Sequence, residues 1–232
     1  MKTNSTYNII GDIHARTCWK NVVRKDCINI FVGDYFDPYE YISPEEQILN
    51  FCEILSFKRQ HTDTVLLYGN HDLQYIVDER YSRYDCQKAS DYRHLLAESK
   101  PLFHGVAYSI GDKALVSHAG VTKEWYEKYF GTYQFESLAE VAEKINRLWE
   151  QNKQAFTFDA NATEWGDCYG TSPTHSPLWI RDQVLVKHNL FAFTPVKQIV
   201  GHTQTGTGVT FDHNIINVDC LGTKERTYTL EE

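Results

Sequence analysis

Five short apolar runs in this chain each end in a turn that carries Asp, His or Asn. They are Ile9-Ile10-Gly11-Asp12-Ile13-His14, Ile30-Phe31-Val32-Gly33-Asp34, Leu66-Leu67-Tyr68-Gly69-Asn70-His71-Asp72, Leu115-Val116-Ser117-His118-Ala119-Gly120 and Ile199-Val200-Gly201-His202-Thr203. A short apolar run bounded by a turn reads as a buried strand. Polar side chains at the C-terminal ends of strands are where α/β sheets build their sites. Each glycine lets the backbone turn sharply beside its polar neighbour. A Gly-Asp pair or a single core histidine means little alone, since ordinary turns and satisfied core histidines are common. Five such ends in one chain constrain the fold to sheets whose strand ends meet.

The intervening segments support that architecture. Tyr7–Ile10 reads as a first strand, residues 15–25 as a short helix with Trp19, Val22 and Val23 on one side, and 28–32 as a second strand. Ser43-Pro44-Glu45-Glu46 signals a helix start, with Ser as N-cap, Pro in the first turn and acids near the positive end of the dipole. That helix runs to about Arg59 with Ile48, Leu49, Cys52, Ile54 and Leu55 inward, and Thr64–Tyr68 forms a third strand. This β-α-β-α-β order favours a parallel sheet with helical crossovers. Gly111-Asp112 is a hairpin turn between 106–110 and 113–117. Residues 122–130 and 136–151 read as helices, the second with a stripe of Leu138, Val141, Ile145 and Leu148. Strands at 197–200, 207–211, 214–218 and 226–230 read as an antiparallel meander. The sum is an α/β (α+β) fold of two mixed sheets packed face to face, with helices outside. Residues 1–232 read as one domain. The tyrosine- and charge-rich segment 72–100, with a helix near 89–99, is either a cap or a solvated helical insertion. Residues 152–176 read as a long loop of the kind that often carries function.

Composition narrows the function classes. Hydrophobic residues make up 42% of 232, enough for a sizeable core. Lys+Arg total 23 against 31 Asp+Glu, a net charge of −8. Stable nucleic-acid binding is therefore not expected, because a phosphate backbone selects basic surfaces. A phosphate substrate stays possible if bound cations set the local field. The six cysteines form no C-x-x-C pair and no zinc-site spacing. The polar N-terminus and the absence of a long apolar run point to a cytoplasmic chain with reduced thiols and no membrane partner.

The polar ends fit a two-cation site. Asp12 and His14, two residues apart, point to one side in extended geometry. The two oxygens of Asp34 can bridge two ions. Asn70 offers an amide oxygen, and His118 and His202 offer imidazole nitrogens. Mixed N/O ligands without thiolate suit Mn²⁺, with Fe, Zn²⁺ and Mg²⁺ as alternatives. Two such ions about 3.5–4 Å apart can hold phosphate oxygens and a nucleophilic water. His71 can protonate a leaving alkoxide, with Asp37 orienting it. Arg181 can grip phosphate oxygens with its planar fork. His175 is the remaining histidine with the best claim to a role.

With these residues in place, the sequence resembles the calcineurin-like metallophosphoesterases, closest to their Ser/Thr phosphoprotein phosphatase branch. The family's ordered motifs G-D-x-H, G-D-x-x-D, G-N-H-D/E, H-small-G and G-H stand here as Gly11–His14, Gly33–Asp37, Gly69–Asp72, His118–Gly120 and Gly201-His202. The resemblance implies an αββα sandwich with a dinuclear metal site at the strand C-terminal ends. It implies a first metal on Asp12, His14 and Asp34, a second on Asp34, Asn70, His118 and His202, and His71 as proton donor beside Asp37. The stretch Pro177–Arg181 resembles the branch's arginine segment.

One departure bears on substrate. The branch carries Arg-Gly after the aspartate equivalent to Asp37, and here Pro38-Tyr39 follows. Arg16 is the candidate replacement, beside Ala15 where the branch has glycine. The expected activity is two-metal hydrolysis of a phosphorylated substrate, a phosphomonoester of the protein phosphatase type. Hydrolysis of a dinucleoside polyphosphate or a phosphodiester is the alternative, and a non-catalytic binding scaffold the third reading. Oligomeric state stays open.

Overall fold

The computed structural model describes residues 5–132, 135–163, 166–167 and 169–232. Two sheets form the centre. The first has strands β1 (Thr6–Ile10), β2 (Ile28–Phe31), β3 (Val65–Leu66) and β9 (Tyr228–Glu231) in the order β3-β2-β1-β9. The second has β4 (Ala107–Ile110), β5 (Ala114–Ser117), β6 (Lys197–Val200), β7 (Thr210–Asp212) and β8 (Ile215–Asn217) in the order β4-β5-β6-β8-β7. In the first sheet β1, β2 and β3 are parallel, and in the second β5, β6 and β8 are parallel.

Strand alternation explains the layers. Ile9, Ile30, Val32 and Leu67 of the first sheet share one apolar cluster with Val116, Ile199, Ile216 and Val218 of the second, so this is the inter-sheet core. The neighbours Ile10, Phe31, Leu66 and Leu115 point the other way and pack under helices. Both faces of the central strands are covered, which is why they read as continuous apolar runs rather than alternating ones. Helices α2 (Pro44–Gln60), α3 (Asn70–Val77) and α4 (Ala89–Ser99) supply Phe51, Ile54, Leu73 and Tyr92 to that outer core, and α6 (Leu138–Gln151) supplies Val141 and Ile145. Leu185 of α7 (Asp182–His188) meets Val200 and Ile215 outside the second sheet. The remaining helices are α1 (Trp19–Val22) and α5 (Lys123–Phe130), the latter capped by the Thr122 hydroxyl.

Four expectations change. The helix at 15–25 shrinks to α1, because His14 and Ala15 lie at φ +44° and +59° and hold the chain in a left-handed turn. The late meander is not one: β6 lies between β5 and β8, parallel to both, and β9 crosses to pair antiparallel with β1. β6 is buried on both faces by Ile199 and Val200, the signature of a central parallel strand. The inward face of α2 is rotated. Gln47, Asn50, Phe51, Ile54 and Leu55 are buried, whereas Leu49 is 61% exposed and Cys52 is exposed. The polar pair turns inward because it holds loops. Gln47 accepts from Asp37 N and donates to Ile42 O, while Asn50 accepts from Trp19 Nε1 and donates to Arg16 O. Finally, α7 is a helix where none was expected, and the helical reading of 72–100 begins earlier, with α3 at Asn70.

Among the described residues, Cys18, Cys27, Cys52, Cys86 and Cys220 are free thiols, and Cys168 lies outside them. No helix of the described residues is long and apolar enough to cross a membrane.

Candidate metal centre

The parallel strands deliver their polar ends to one edge of the sandwich. Asp12 follows β1, Asp34 follows β2, Asn70 opens α3 after β3, His118 follows β5 and His202 follows β6. All five are at least nine-tenths buried, as are His14, Asp37 and His71. Ligand atoms of Asp12, Asp34 and His118 lie within 4.8 Å of one another. His14 Nε2 is 3.5 Å and His118 Nε2 3.4 Å from Asp34 Oδ2. Asn70 Oδ1 is 2.8 Å from His118 Nε2 and 2.9 Å from His202 Nδ1.

The chain bends hard to achieve this. His14, Asp34, Asp37 and His202 have φ of +44°, +55°, +61° and +67°. Such values cost a non-glycine residue free energy and persist only when the surroundings enforce them. Asp12 and His14 lie on one side, with His14 Nε2 3.9 Å from Asp12 Oδ2, and the chain turns left-handed at His14 and Ala15. Two glycines are needed for close approach: a Cβ on Gly69 would collide with Asp34 Oδ1, and one on Gly201 with Asp12 Oδ1. Asp72 clamps the two turns together, accepting from Asp34 N at 2.9 Å, Tyr35 N at 2.9 Å and Gly69 N at 2.7 Å.

The electrostatics call for a cation. Burial pushes the Asp34 carboxyl well above its ordinary range, and the charge of Asp72 adds to this. Burial does the same to Asp12, reinforced by Asp219 and Asp34. Burial also drives His14 and His202 well down and His118 to about 3, so these rings are neutral. His118 faces an oxygen with both nitrogens, Val32 O at 3.0 Å and Asn70 Oδ1 at 2.8 Å, but a neutral ring donates only once. If His14 donates from Nδ1 to Phe36 O at 2.9 Å, its Nε2 lone pair faces the Asp34 carboxylate. Buried acceptors facing acceptors are costly unless something positive lies between them. Imidazoles anchored at Nδ1 by carbonyls, with Nε2 turned to carboxylates, match the outer shell of a metal site. The residues present therefore fit divalent cations.

A second group adjoins this cluster. His71 N donates to Asp34 Oδ1 at 2.8 Å, and His71 Nδ1 lies 2.9 Å from Asp37 Oδ2. Gln74 and Tyr75, one helical turn on, both bond the Asp37 carboxylate. Burial raises Asp37 to about 7, against the pull of Tyr75, Arg83 and Gln74. Arg181 lies beside His202, donating to His202 O at 3.3 Å and Tyr169 O at 3.0 Å. Arg16 is turned to Glu40, with Nε 3.3 Å from Oε1, and the Tyr39 ring lies 5.5 Å from its guanidinium. His175 stands apart, bonded to Asp167 at 3.0 Å and stacked on Phe158.

Two neighbours escaped the sequence reading. Asp219 follows β8, a sixth parallel strand end beside Asp12, but no glycine turn flags it; burial raises it to about 6. Arg83 approaches from the 79–88 segment and places Nη2 2.9 Å from His71 Nε2. Nothing local in the sequence marks it. Gln74 and Tyr75 were legible in principle, at i+3 and i+4 from His71 on a helix.

Among curated proteins, none matches this chain. A protein serine/threonine phosphatase from Saccharomyces cerevisiae, with similarity to human phosphatase PP5, is similar in fold. The TM-score is 0.53 at 16% identity, over 94% of this chain and 67% of that one. The sequence pattern of the calcineurin-like phosphoesterases matches residues 6–206. That span includes every polar strand end from Asp12 to His202, and on this match the chain belongs to the calcineurin-like phosphoesterase family.

Proposed function

We propose that this phosphoester hydrolase is a two-cation phosphomonoesterase of the protein phosphatase type. Asp12, His14 and Asp34 would hold one divalent cation, and Asp34, Asn70, His118 and His202 the other, with Asp34 shared. The observation that carries the reading is the buried meeting of neutral imidazoles with Asp34 and Asn70 oxygens, acceptor against acceptor. When bound, the cations supply Lewis acidity, lowering the pKa of a coordinated water and drawing charge from phosphoryl oxygens.

The protein's own groups do the rest. His118 is anchored through Nδ1 by Val32 O at 3.0 Å, so its Nε2 is held toward Asp34 and Asn70. His71 is held through Nδ1 by Asp37 with Nε2 directed outward to Arg83, and it would protonate the leaving oxygen once Arg83 turns to phosphate and Nε2 takes up a proton. The Asp37 carboxylate is held by Gln74 and Tyr75, so it orients the ring rather than rotating with it. Arg181 offers a guanidinium beside His202 for non-bridging phosphoryl oxygens.

One observation favours the nucleotide or diester alternative: Pro38-Tyr39 stands where a second arginine would strengthen the hold on a dianion. The deciding experiment strips the protein of metal, reloads it with Mn²⁺ and compares p-nitrophenyl phosphate with bis-p-nitrophenyl phosphate. Faster monoester cleavage is expected. Faster diester cleavage replaces the monoesterase reading, and stoichiometric metal with neither activity overturns both.

A further inference from the structure

The positive charge missing after Asp37 reappears from another part of the chain. Arg83 lies in the segment after α3. Its Nη1 donates to Asp37 O at 2.7 Å, Nη2 lies 2.9 Å from His71 Nε2, and Cζ sits 3.7 Å from the Tyr39 ring centroid. Asp37, Tyr39, Arg83 and Asp85 line one open cleft of ≈ 330 Å³. The guanidinium thus sits above the residues that replaced Arg-Gly, at the outward nitrogen of His71. Those two bonds use two of its five N–H donors, and among the described residues no acceptor meets the other three.

The backbone shows that this placement is enforced. Arg83 has φ +62°, as do, within about twenty degrees, His14, Asp34, Asp37 and His202 of the site and Ala15, Asp78 and His213 elsewhere. A non-glycine residue in that region marks strain maintained for a reason. The strain is held by anchors on both sides. Tyr81 N donates to Gln74 Oε1 at 3.1 Å, Tyr84 stacks on Tyr75 at 4.9 Å, and Asp85 N donates to Tyr75 OH at 3.0 Å. Gln74 and Tyr75 also bond the Asp37 carboxylate, so one pair of side chains fixes both His71 and the arginine loop.

We propose that Arg83 is a phosphate-gripping cation of this enzyme, stacked on Tyr39, and that with Arg181 it makes the site selective for a terminal, dianionic phosphate monoester. The proposal rests on the phosphoesterase reading and deepens it. Arg83 lies toward His71 and Arg181 beside His202, so the two forks reach the cluster from different elements. A planar fork with spare donors pairs two oxygens of one phosphate, and a terminal phosphate offers one more charged oxygen than a diester. Arg16 meets Glu40 through Nε and leaves Nη1 buried and without a hydrogen-bond partner among the described residues, on the Asp12 and Asp219 side of the cluster.

The test is calorimetric titration of the Mn²⁺-loaded protein with inorganic phosphate, with metal content measured alongside. A charge-assisted contact of this kind predicts about 10- to 100-fold weaker phosphate binding for Arg83→Ala, with Arg83→Lys in between. Arg83→Gly should lose the same affinity while relieving the left-handed strain, so its melting temperature should not fall. That separates loss of a contact from loss of fold. The exposed Arg59→Ala serves as the unchanged control. On esters, Arg83→Ala should lower kcat/KM for p-nitrophenyl phosphate more than for the bis ester. Phosphate affinity of Arg83→Ala and Arg83→Gly within about twofold of wild type, with Arg181→Ala impaired, would overturn the role. If the metal-loaded wild type neither binds phosphate nor cleaves either ester, the phosphoesterase reading falls with it. If wild type does both and the Arg83 variants match it, only the Arg83 proposal falls.

Discussion

Asp34 is bound on nearly every side. His71 N donates to one carboxylate oxygen, and His14 and His118 approach the other within 3.5 Å. Its own backbone N–H is taken by Asp72. On the proposed two-cation reading Asp34 is the shared ligand, so Asp34→Asn should reduce the occupancy of two cations per chain, read by elemental analysis. Loss of one alone would move the bridge elsewhere. His71 should behave differently. Its imidazole faces Asp37 and Arg83 rather than Asp34, so His71→Asn should retain metal. Its loss of a general acid should cost about 10²–10⁴-fold on an alkyl phosphate. A nitrophenyl ester, whose leaving group needs no proton, should suffer far less. Equal losses on both would remove His71 from the proton-transfer role. At this scale the polar cluster was legible because each of its motifs pairs an apolar run with a glycine turn and an Asp, Asn or His. Asp219 lacks that glycine. Arg83 is placed by contacts with Gln74 and Tyr75, which no local pattern in the sequence displays.

Among the elements, α2 shows why hydrophobic periodicity misleads near a site. Ile48, Leu49, Cys52 and Leu55 make a plausible stripe, yet the helix turns Gln47 and Asn50 inward. The polar side chains are worth more there than Leu49 would be, because buried loop N–H and C=O groups need partners. Asn50→Leu makes the sequence more apolar but strands Trp19 Nε1 and Arg16 O. It should destabilise the protein by about 1–3 kcal/mol in urea unfolding, the cost of buried unmet groups. Equal or higher stability would mean the Asn50 bonds are dispensable. The N-terminus of the same helix was readable, because the Ser43–Glu46 capping box is purely local. The parallel pairing of β6 and the crossing of β9 were not. Both are decided by which strand finds a covered neighbour, and the runs themselves look alike whichever way they pair.

For the whole molecule, the proposed reading makes metal and proton competitors for one buried acidic cluster. Burial raises Asp219 to about 6 and Asp72 to about 7, and Asp12 and Asp34 shift in the same direction. A carboxyl with a raised folded-state pKa favours the folded state fully below its unfolded pKa of about 3.8, and that contribution is lost as pH rises through the folded value. The metal-free protein should therefore lose this stabilisation between about pH 4 and 7. Bound cations stabilise the charged forms instead, by about 4 kcal/mol per site at a thousandfold excess over Kd. The gap in melting temperature between Mn²⁺-loaded and stripped protein should widen from pH 5 to pH 7. A gap that narrows would show that protons are not the competitor.

The pairing of β9 with β1 has a consequence in time. Residues 228–231 lie beside Thr6–Ile9, and Glu232 N bonds Ser5 O at 3.0 Å. During synthesis β1 emerges well ahead of β9, the strand that closes its flank. Until then β1 keeps an open hydrogen-bonding edge, the kind of edge that recruits foreign strands. Asp12 stands at the end of that same strand. The nascent chain must therefore carry the Asp12 carboxylate on an unfinished sheet until β9 has been made.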